Sequence, residues 1–447
     1  MEDTLTYSYA GSSSLLKRGA LEELFLSKYS EVQKNTGAPC FFWGSVSQPF
    51  ILARCLITLS NIVKAGFNLP PFQMALIKDP IVTVGNERLR FEGFSHCAGV
   101  YARIDVLPGG LDGAFLENGT INVDFNQSMI TALGSIRPYE KIILSIGEKE
   151  VGLYTEKKKI IERKVPLPEK WIKGLGTVQV YLSESEELYT FNKIQAQQLF
   201  RGMPKGVVKC DYFLIVRGNK PTFSPVQSAD GVCIGGLHRL RLLESLLPYT
   251  DYMKVFGHPK RQSVTWQLYM GNITFSFSLS REIWRGFSSE GAVLEGLIND
   301  VPDEWIDALD KYAHANQSFN KIMMAVEGNI NLEKAENLTA RLAAMGLLGY
   351  DVDTREFFYR RLPFKLSRVL ELNPRMKNAE KLIEEGKVEI VSIKNERIEA
   401  RVEGTDVQHT IILEEGKERC TCEWFIKYQG ERGPCKHVLA VKKLAGN

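Results

Sequence analysis

VTWQLYMGNITFSFSLS, Val264 to Ser280, is the stretch whose reading fixes the fold class. Val264, Trp266, Leu268 and Met270 alternate with more polar residues, and Phe275, Phe277 and Leu279 do the same beyond Gly271-Asn272. Period-two alternation on both sides of a two-residue Gly-Asn loop predicts an antiparallel β-hairpin. Just upstream, LHRLRLLESLLPY places Leu240, Leu243 and Leu247 on one helical face, with Pro248 as the stop. A helix followed by antiparallel strands reads as α+β.

Working outward, the same order recurs. FNQSMITALGSI sets Phe125, Met129, Ala132, Leu133 and Ile136 on one helical stripe, and KIILSIGEKEVGLYTE reads as strand, turn and strand. FNKIQAQQLFRGM followed by KCDYFLIVRGNKPTF is a third, weaker copy. Recurrence predicts diverged structural repeats with helices stacked on one face of a sheet. The order resembles sliding-clamp subdomains, which also repeat a helix with flanking strands. That resemblance implies a clamp-like scaffold over residues 1–290.

Residues 291–363 change character. GAVLEGLIND, EWIDALDKYAH and SFNKIMMAV are helical in pattern, and Leu332, Ala335, Leu338, Leu342 and Met345 make an apolar stripe stopped by Gly346. LLGYDV and EFFYRRL form a hairpin around Asp353-Thr354-Arg355. Helices closing on a hairpin is winged-helix order. The helix that would read DNA carries Glu333, Lys334, Glu336 and Arg341, which sum to zero, whereas a major-groove reader carries basic excess. Packing or protein docking is therefore the expectation for this unit. Residues 364–447 continue with a helix across Ala379–Glu385, stopped by Gly386, and strands in VEIVSI, ERIEARVEG and QHTIILEEG.

Bulk properties agree with several folded units. At 447 residues the length suggests about three domains. A chain that is 44% hydrophobic and 24% charged has the composition of a soluble globular protein. The net charge is +3, from 56 Lys+Arg against 53 Asp+Glu, so any nucleic-acid contact must come from a local patch. MEDTLTYSYAGSSS lacks the basic and apolar regions of a secretory signal, and Arg54 and Lys64 interrupt the apolar stretch PFILARCLITLSNIVKAGF. The expected compartment is the cytoplasm, with no membrane partner.

One cluster carries chemistry. RCTCEWFIKYQGERGPCKHVLA, Arg419 to Ala440, holds three of the chain's eight cysteines and one of its six histidines. Residues i and i+2 of a strand point to one side, so Cys420 and Cys422 can face one ion from a strand end or hairpin turn. Gly433-Pro434 fits a helix start, with HVLAVKKLAG as the helix. Residues two apart in a helix diverge by about 200°. Cys435 is thus expected at the helix entry, near the positive end of the dipole, with His437 in the first turn. Three thiolates and an imidazole fill a tetrahedral shell and leave no open position, so the expected cofactor is one structural Zn²⁺. A Cys420–Cys422 disulfide would be a tight loop in a reducing compartment, and a redox Cys-x-x-Cys needs two intervening residues where there is one.

C-x-C followed by C-x-H and a helix resembles the SWIM zinc finger, here Cys420-Thr421-Cys422 and Cys435-Lys436-His437 within about residues 409–445. The wider chain resembles bacterial SWIM zinc finger family proteins in IERKVPLPEKW (Ile161–Trp171), EIWRGFSSEGAVLEG (Glu282–Gly296) and ELNPRM (Glu371–Met376). The resemblance implies a ββα interaction module for nucleic acid, DNA or RNA, or for protein. It also implies partners among helicase-like ATPases, MoxR-type AAA ATPases and von Willebrand factor A proteins. Residues 417–443 hold seven basic and three acidic side chains, and Zn²⁺ with three thiolates adds −1. Lys427, Arg432, Lys436, Lys442 and Lys443 are the candidate contacts. Trp424, Phe425 and Tyr428 suit either base stacking or a cover for the metal.

Other features are weaker. His96-Cys97 in GFSHCAGVY reads as strand, where neighbours face opposite sides and cannot work as a pair. Cys40, Cys55, Cys210 and Cys233 read as core, and His238 and His258 lack ligand spacing. Trp284-Arg285-Gly286-Phe287 suits a docking surface or a joint between units. Phosphate-binding and dinucleotide fingerprints do not occur. The expectation is a non-enzymatic adaptor, the alternative being a nucleic-acid-processing enzyme with its site in 1–290.

Overall fold

The computed structural model describes residues 40–65, 80–167, 169–283, 286–288, 303–360, 362, 373–394, 397–404, 407–414, 417–430 and 432–445, with short strands before them. Those first strands, β1 (Ser8–Tyr9), β2 (Ser14–Arg18), β3 (Leu21–Phe25) and β4 (Tyr29–Ser30), make two antiparallel pairs, β1 with β4 and β2 with β3. The GAVLEGLIND helix and Trp284-Arg285 lie outside the described residues.

Two stretches share part of their element order, a strand running into a helix and a closing run of three antiparallel strands, and are called copies below. The first copy opens with β5 (Phe42–Val46) running into α1 (Pro49–Lys64). It continues through β6 (Ile81–Gly85), β7 (Arg88–Phe94), β8 (Val100–Val106), β9 (Leu111–Phe115) and β10 (Gly119–Asn122). Then come α2 (Gln127–Ser135), β11 (Ile143–Ile146), β12 (Glu150–Tyr154) and β13 (Lys159–Arg163). A connecting helix, α3 (Glu169–Ser183), leads to the second copy. There β14 (Glu186–Asn192) runs into α4 (Lys193–Arg201), followed by β15 (Tyr212–Arg217), β16 (Lys220–Ser224) and β17 (Val232–Ile234). The copy closes with β18 (Tyr252–Gly257), β19 (Ser263–Met270) and β20 (Ile273–Ser280). The first copy's sheet has the order β13-β12-β11-β5-β9. The matching run β20-β19-β18-β14 ends an eight-stranded sheet, β10-β6-β7-β8-β20-β19-β18-β14, in which β8 and β20 join the copies. A third sheet has the order β16-β15-β17.

The expected hairpin is β19–β20, with Met270 opposite Ile273 and Gly271 at φ +63°, a value glycine adopts without strain. Its alternation does not leave a wet face. All sixteen residues are buried, and across the pair Thr265 and Ser278 hydrogen-bond to each other at 2.8 Å. Trp266 sits beneath Phe200 and Phe223.

The stretch before it corrects an expectation. Residues Leu237–Leu243 and Leu247–Tyr249 are 3₁₀ turns, not an α-helix, and Pro248 lies inside the second. Leu237, Leu240 and Leu243 are all buried because three-residue spacing stacks side chains in a 3₁₀ turn. Arg239 is fully buried there, and its guanidinium donates to the carbonyls of Gly99, Gly235 and Ser280, each at 2.6 Å. His96-Cys97 lies in the β7–β8 turn rather than in a strand, with Cys97 half-buried. Cys55 and Cys233 are buried as expected, whereas Cys40 is half-buried and Cys210 exposed.

Beyond the repeats come α5 (Asp303–Asn316), β21 (Ser318–Phe319), α6 (Lys321–Glu327), α7 (Leu332–Ala344) and the hairpin β22 (Leu348–Asp351)–β23 (Glu356–Tyr359), with sheet order β21-β23-β22. Ala335, Leu338 and Leu342 are buried along α7, but Leu332 is 46% exposed because it starts the helix at the free end. The hairpin is pressed onto β7 and β8 through buried charge. Arg103 donates to the Tyr350 carbonyl at 2.6 Å and pairs with Asp105 at 2.7 Å, while Arg360 and Tyr101 both donate to Glu92. Arg90 lies 4.0 Å from the Phe358 ring centroid. One continuous core of buried residues runs from Phe41 to Leu362.

A second core is made mainly by the C-terminal residues, with Ile172 and Ala344 joining it. It is built from α8 (Pro374–Glu384), the sheet β24 (Val388–Lys394), β25 (Arg397–Glu403), β26 (Gln408–Glu414) and β27 (Lys417–Cys420), α9 (Glu423–Tyr428) and α10 (Lys436–Ala445). The sheet order is β24-β25-β26-β27. Helix α8 starts five residues before the expected Ala379, since Pro374 occupies a first-turn position, and Gly386 at φ +66° ends it. Among the described residues no helix is long and apolar enough to cross a membrane.

Candidate metal centre

Strand β27 delivers Cys420 as its last residue, and the chain then turns so that Cys422 caps α9. This short helix was not expected from sequence, and it makes the finger two strands with two helices. The Phe425 amide donates to Cys422 Sγ at 3.4 Å, and the Val438 amide donates likewise to Cys435 Sγ at 3.4 Å. Each sulfur therefore satisfies a free N–H in the first turn of a helix. Cys435 stands just before α10, Pro434 ahead of it rather than within the first turn, and His437 follows in that turn. Two helix N-termini thus aim their partial positive charge at the cluster.

The four donor atoms of Cys420, Cys422, Cys435 and His437 all lie within 4.8 Å of one another, and all four residues are buried. His437 Nδ1 is 3.8 Å from Cys420 Sγ. A tetrahedron with zinc–sulfur bonds of about 2.3 Å and a zinc–nitrogen bond of about 2.0 Å has sulfur–nitrogen edges of about 3.5 Å. The observed edge fits, with Nδ1 as the metal-facing nitrogen. Left as thiols the sulfurs compete, because hydrogen bonds to Cys422 and Cys435, together with burial, drive the Cys420 pKa up. A divalent cation resolves the competition by taking all three as thiolates. The set fits one structural Zn²⁺, with four protein ligands and no open position.

The ring of His409 packs against that of His437 with centroids 4.4 Å apart. The other wall is a ladder of cations and rings. Arg375 lies 4.7 Å from the Trp424 centroid, Trp424 is 5.2 Å from Tyr428, and Arg432 is 4.2 Å from Tyr428. Sequence reasoning missed Arg375, whose only signal is its place in ELNPRM.

The five candidate contact cations are placed unequally. Arg432 pairs with Glu282 at 3.1 Å, Lys443 with Glu380 at 2.9 Å, and Lys442 with Glu418. Lys427 is exposed beside the Tyr428 ring, and Lys436 opens α10 half-buried. Elsewhere, His258 Nε2 is 3.0 Å from Glu184, and His238 Nδ1 accepts from the Val208 amide at 3.3 Å. Phe287 of the Trp-Arg-Gly-Phe run is buried against Phe94 and Tyr181.

Comparison with solved structures finds partial likeness to a proliferating cellular nuclear antigen from Entamoeba histolytica. That match has 10% identity and a TM-score of 0.36 over 55% of this chain and 100% of the other. A PCNA2–PCNA3 complex from Sulfolobus tokodaii gives 9% identity and a TM-score of 0.37 over 53% and 98%. No curated protein matches the chain. Residues 409–446, which contain all four ligands, match the SWIM zinc finger family.

Proposed function

We propose that the chain is a zinc-stapled, non-enzymatic adaptor of the cytoplasm. In this reading a repeat scaffold (1–290), a winged-helix-like unit (291–363) and a C-terminal unit (364–447) with its SWIM finger present docking surfaces to a macromolecular partner. One observation carries it. Four buried ligands close around a single metal position, so the metal sets shape and has no site for substrate.

A protein partner fits better than a nucleic acid. Arg432, Lys442 and Lys443 are already engaged by carboxylates, which shrinks the basic patch before any phosphate approaches. Ile322, Met323 and Val326 stand exposed on α6, apolar side chains of the kind protein interfaces use. The nucleic-acid reading keeps one support, since Trp424 and Tyr428 flank Lys427 on α9. A link to MoxR-type or helicase-like ATPases, or to von Willebrand factor A proteins, rests on resemblance.

Gel shifts with single- and double-stranded DNA and RNA at low salt separate the readings. The protein reading expects no shift. A shift that weakens steeply with salt and is lost on Lys427→Ala would move the assignment to nucleic acid. Affinity capture from the native host, comparing wild type with Cys435→Ala, then identifies the partner that depends on the finger.

A further inference from the structure

Three stretches carried the wider resemblance without a chemical role, and the structure brings residues from all three to one place. Leu167 of the first packs against the C-terminal core, Glu282 of the second pairs with Arg432, and Arg375 of the third reaches into the finger. Arg375 is the informative one. It is the second residue of α8 and lies outside the segment that matches the finger family.

Its Nη1 donates to the Arg432 carbonyl at 3.0 Å and to the Pro434 carbonyl at 2.8 Å. The same guanidinium lies over the Trp424 ring. Pro434 immediately precedes Cys435, and Trp424 is two residues past Cys422. One side chain therefore grips the backbone leading to one ligand and the ring beside another. Gly433 sits at φ +75° and donates its amide to the Gly430 carbonyl at 2.9 Å, and Arg375 holds the carbonyls on either side of it, those of Arg432 and Pro434. The charge also suits the place, since a zinc with three thiolates carries −1.

We propose that Arg375 is a positioning residue of the metal centre, holding the backbone around Gly433 and Pro434 in the shape that carries Cys435 to the other three ligands. The same backbone is tied outward as well. The Arg432 side chain pairs with Glu282, so the segment that closes the metal site also seats the finger on the scaffold. The inference rests on the zinc assignment and goes beyond it by placing part of the site on α8.

The test uses the full-length zinc-loaded protein and measures zinc release to excess chromophoric chelator. Loss of a residue that orients metal ligands typically costs about 10–100-fold in metal affinity. Arg375→Ala is expected to release zinc at least about tenfold faster than wild type. Arg375→Lys should recover part of the loss, since an ammonium keeps the charge and the donors but lacks the planar guanidinium that lies over Trp424. Lys381→Ala, on the exposed side of the same helix, should release zinc at the wild-type rate. Cobalt-loaded protein gives a second readout, with d–d bands shifted in Arg375→Ala and unshifted in Lys381→Ala. Equal release rates and equal cobalt spectra for Arg375→Ala and wild type would overturn the role. If Arg375→Ala does not fold, wild-type release from Arg375→Lys overturns it instead. Wild-type protein that binds no stoichiometric zinc would overturn the metal assignment itself.

Discussion

Substituting Glu92 by Gln removes one charge from the plate that fastens the β22–β23 hairpin to the large sheet. Glu92 and Arg360 are both fully buried and form a direct ion pair, and Tyr101 donates to the same carboxylate. Burial alone would push the Glu92 carboxyl up. The Arg360 guanidinium, the Tyr101 hydroxyl and Arg103 outweigh it and hold its pKa below the ordinary value. Glutamine keeps the size but leaves a buried guanidinium opposite a neutral amide, which costs about 3–5 kcal/mol. Arg360→Met should cost a similar amount by stranding the carboxylate. The double variant should lose less than the sum of the two single losses, because it strands no charge and leaves only a neutral amide beside the Tyr101 hydroxyl. The sign with pH follows from the depressed pKa. The Glu92 contribution is present above the unfolded value of about 4.3 and is lost as pH falls through the folded value. Urea unfolding of wild type, both single variants and the double variant, at neutral pH and near pH 3, measures all of this. Additive losses in the double variant, or single losses below about 1 kcal/mol, would refute the reasoning.

Two further outcomes follow from the cores. Trp266 is fully buried between Phe200 and Phe223, so Trp266→Ala should destabilise the repeat scaffold by about 3–5 kcal/mol, read as a fall in urea midpoint without a change in slope. Stripping the metal with a strong chelator at neutral pH should loosen residues 417–445 while the β19–β20 hairpin stays protected. Hydrogen exchange followed by mass spectrometry checks this, and equal protection of the finger with and without zinc would remove the structural role.

What the sequence disclosed depended on how local the physics is. The β19–β20 hairpin was legible because Gly271-Asn272 determines a turn by itself and the apolar period is two. The metal ligands were legible because spacing within eighteen residues constrains where four donors can point. Buried polar faces were not. Thr265 and Ser278 look like solvent-facing residues until their mutual hydrogen bond and the covering elements are seen. The 3₁₀ turns at 237–249 have the same leucine spacing as a helix over so short a run, and what distinguishes them is backbone bonding three residues apart, as from Arg239 to Gly236 and from Glu244 to Arg241. Arg375 and Glu282 act at separations of 59 and 150 residues from their partners, a distance at which no periodicity carries information.

The metal's place in the fold follows from what the C-terminal sheet lacks. Ile398, Ala400, Val402, Ile411 and Leu413 give one face of β25 and β26 an apolar surface, and α8 and α10 cover it with Met376, Ala379, Val438 and Leu439. Beside this core, α9 has six residues and buries Phe425. A helix that short is marginal without tertiary support. The cluster ties the end of β27 to the caps of α9 and α10, so metal and helix capping add to the apolar contacts that Phe425 and the buried cysteines make. The exposed residues of α9, Glu423, Ile426 and Lys427, are then held at a fixed angle to the sheet.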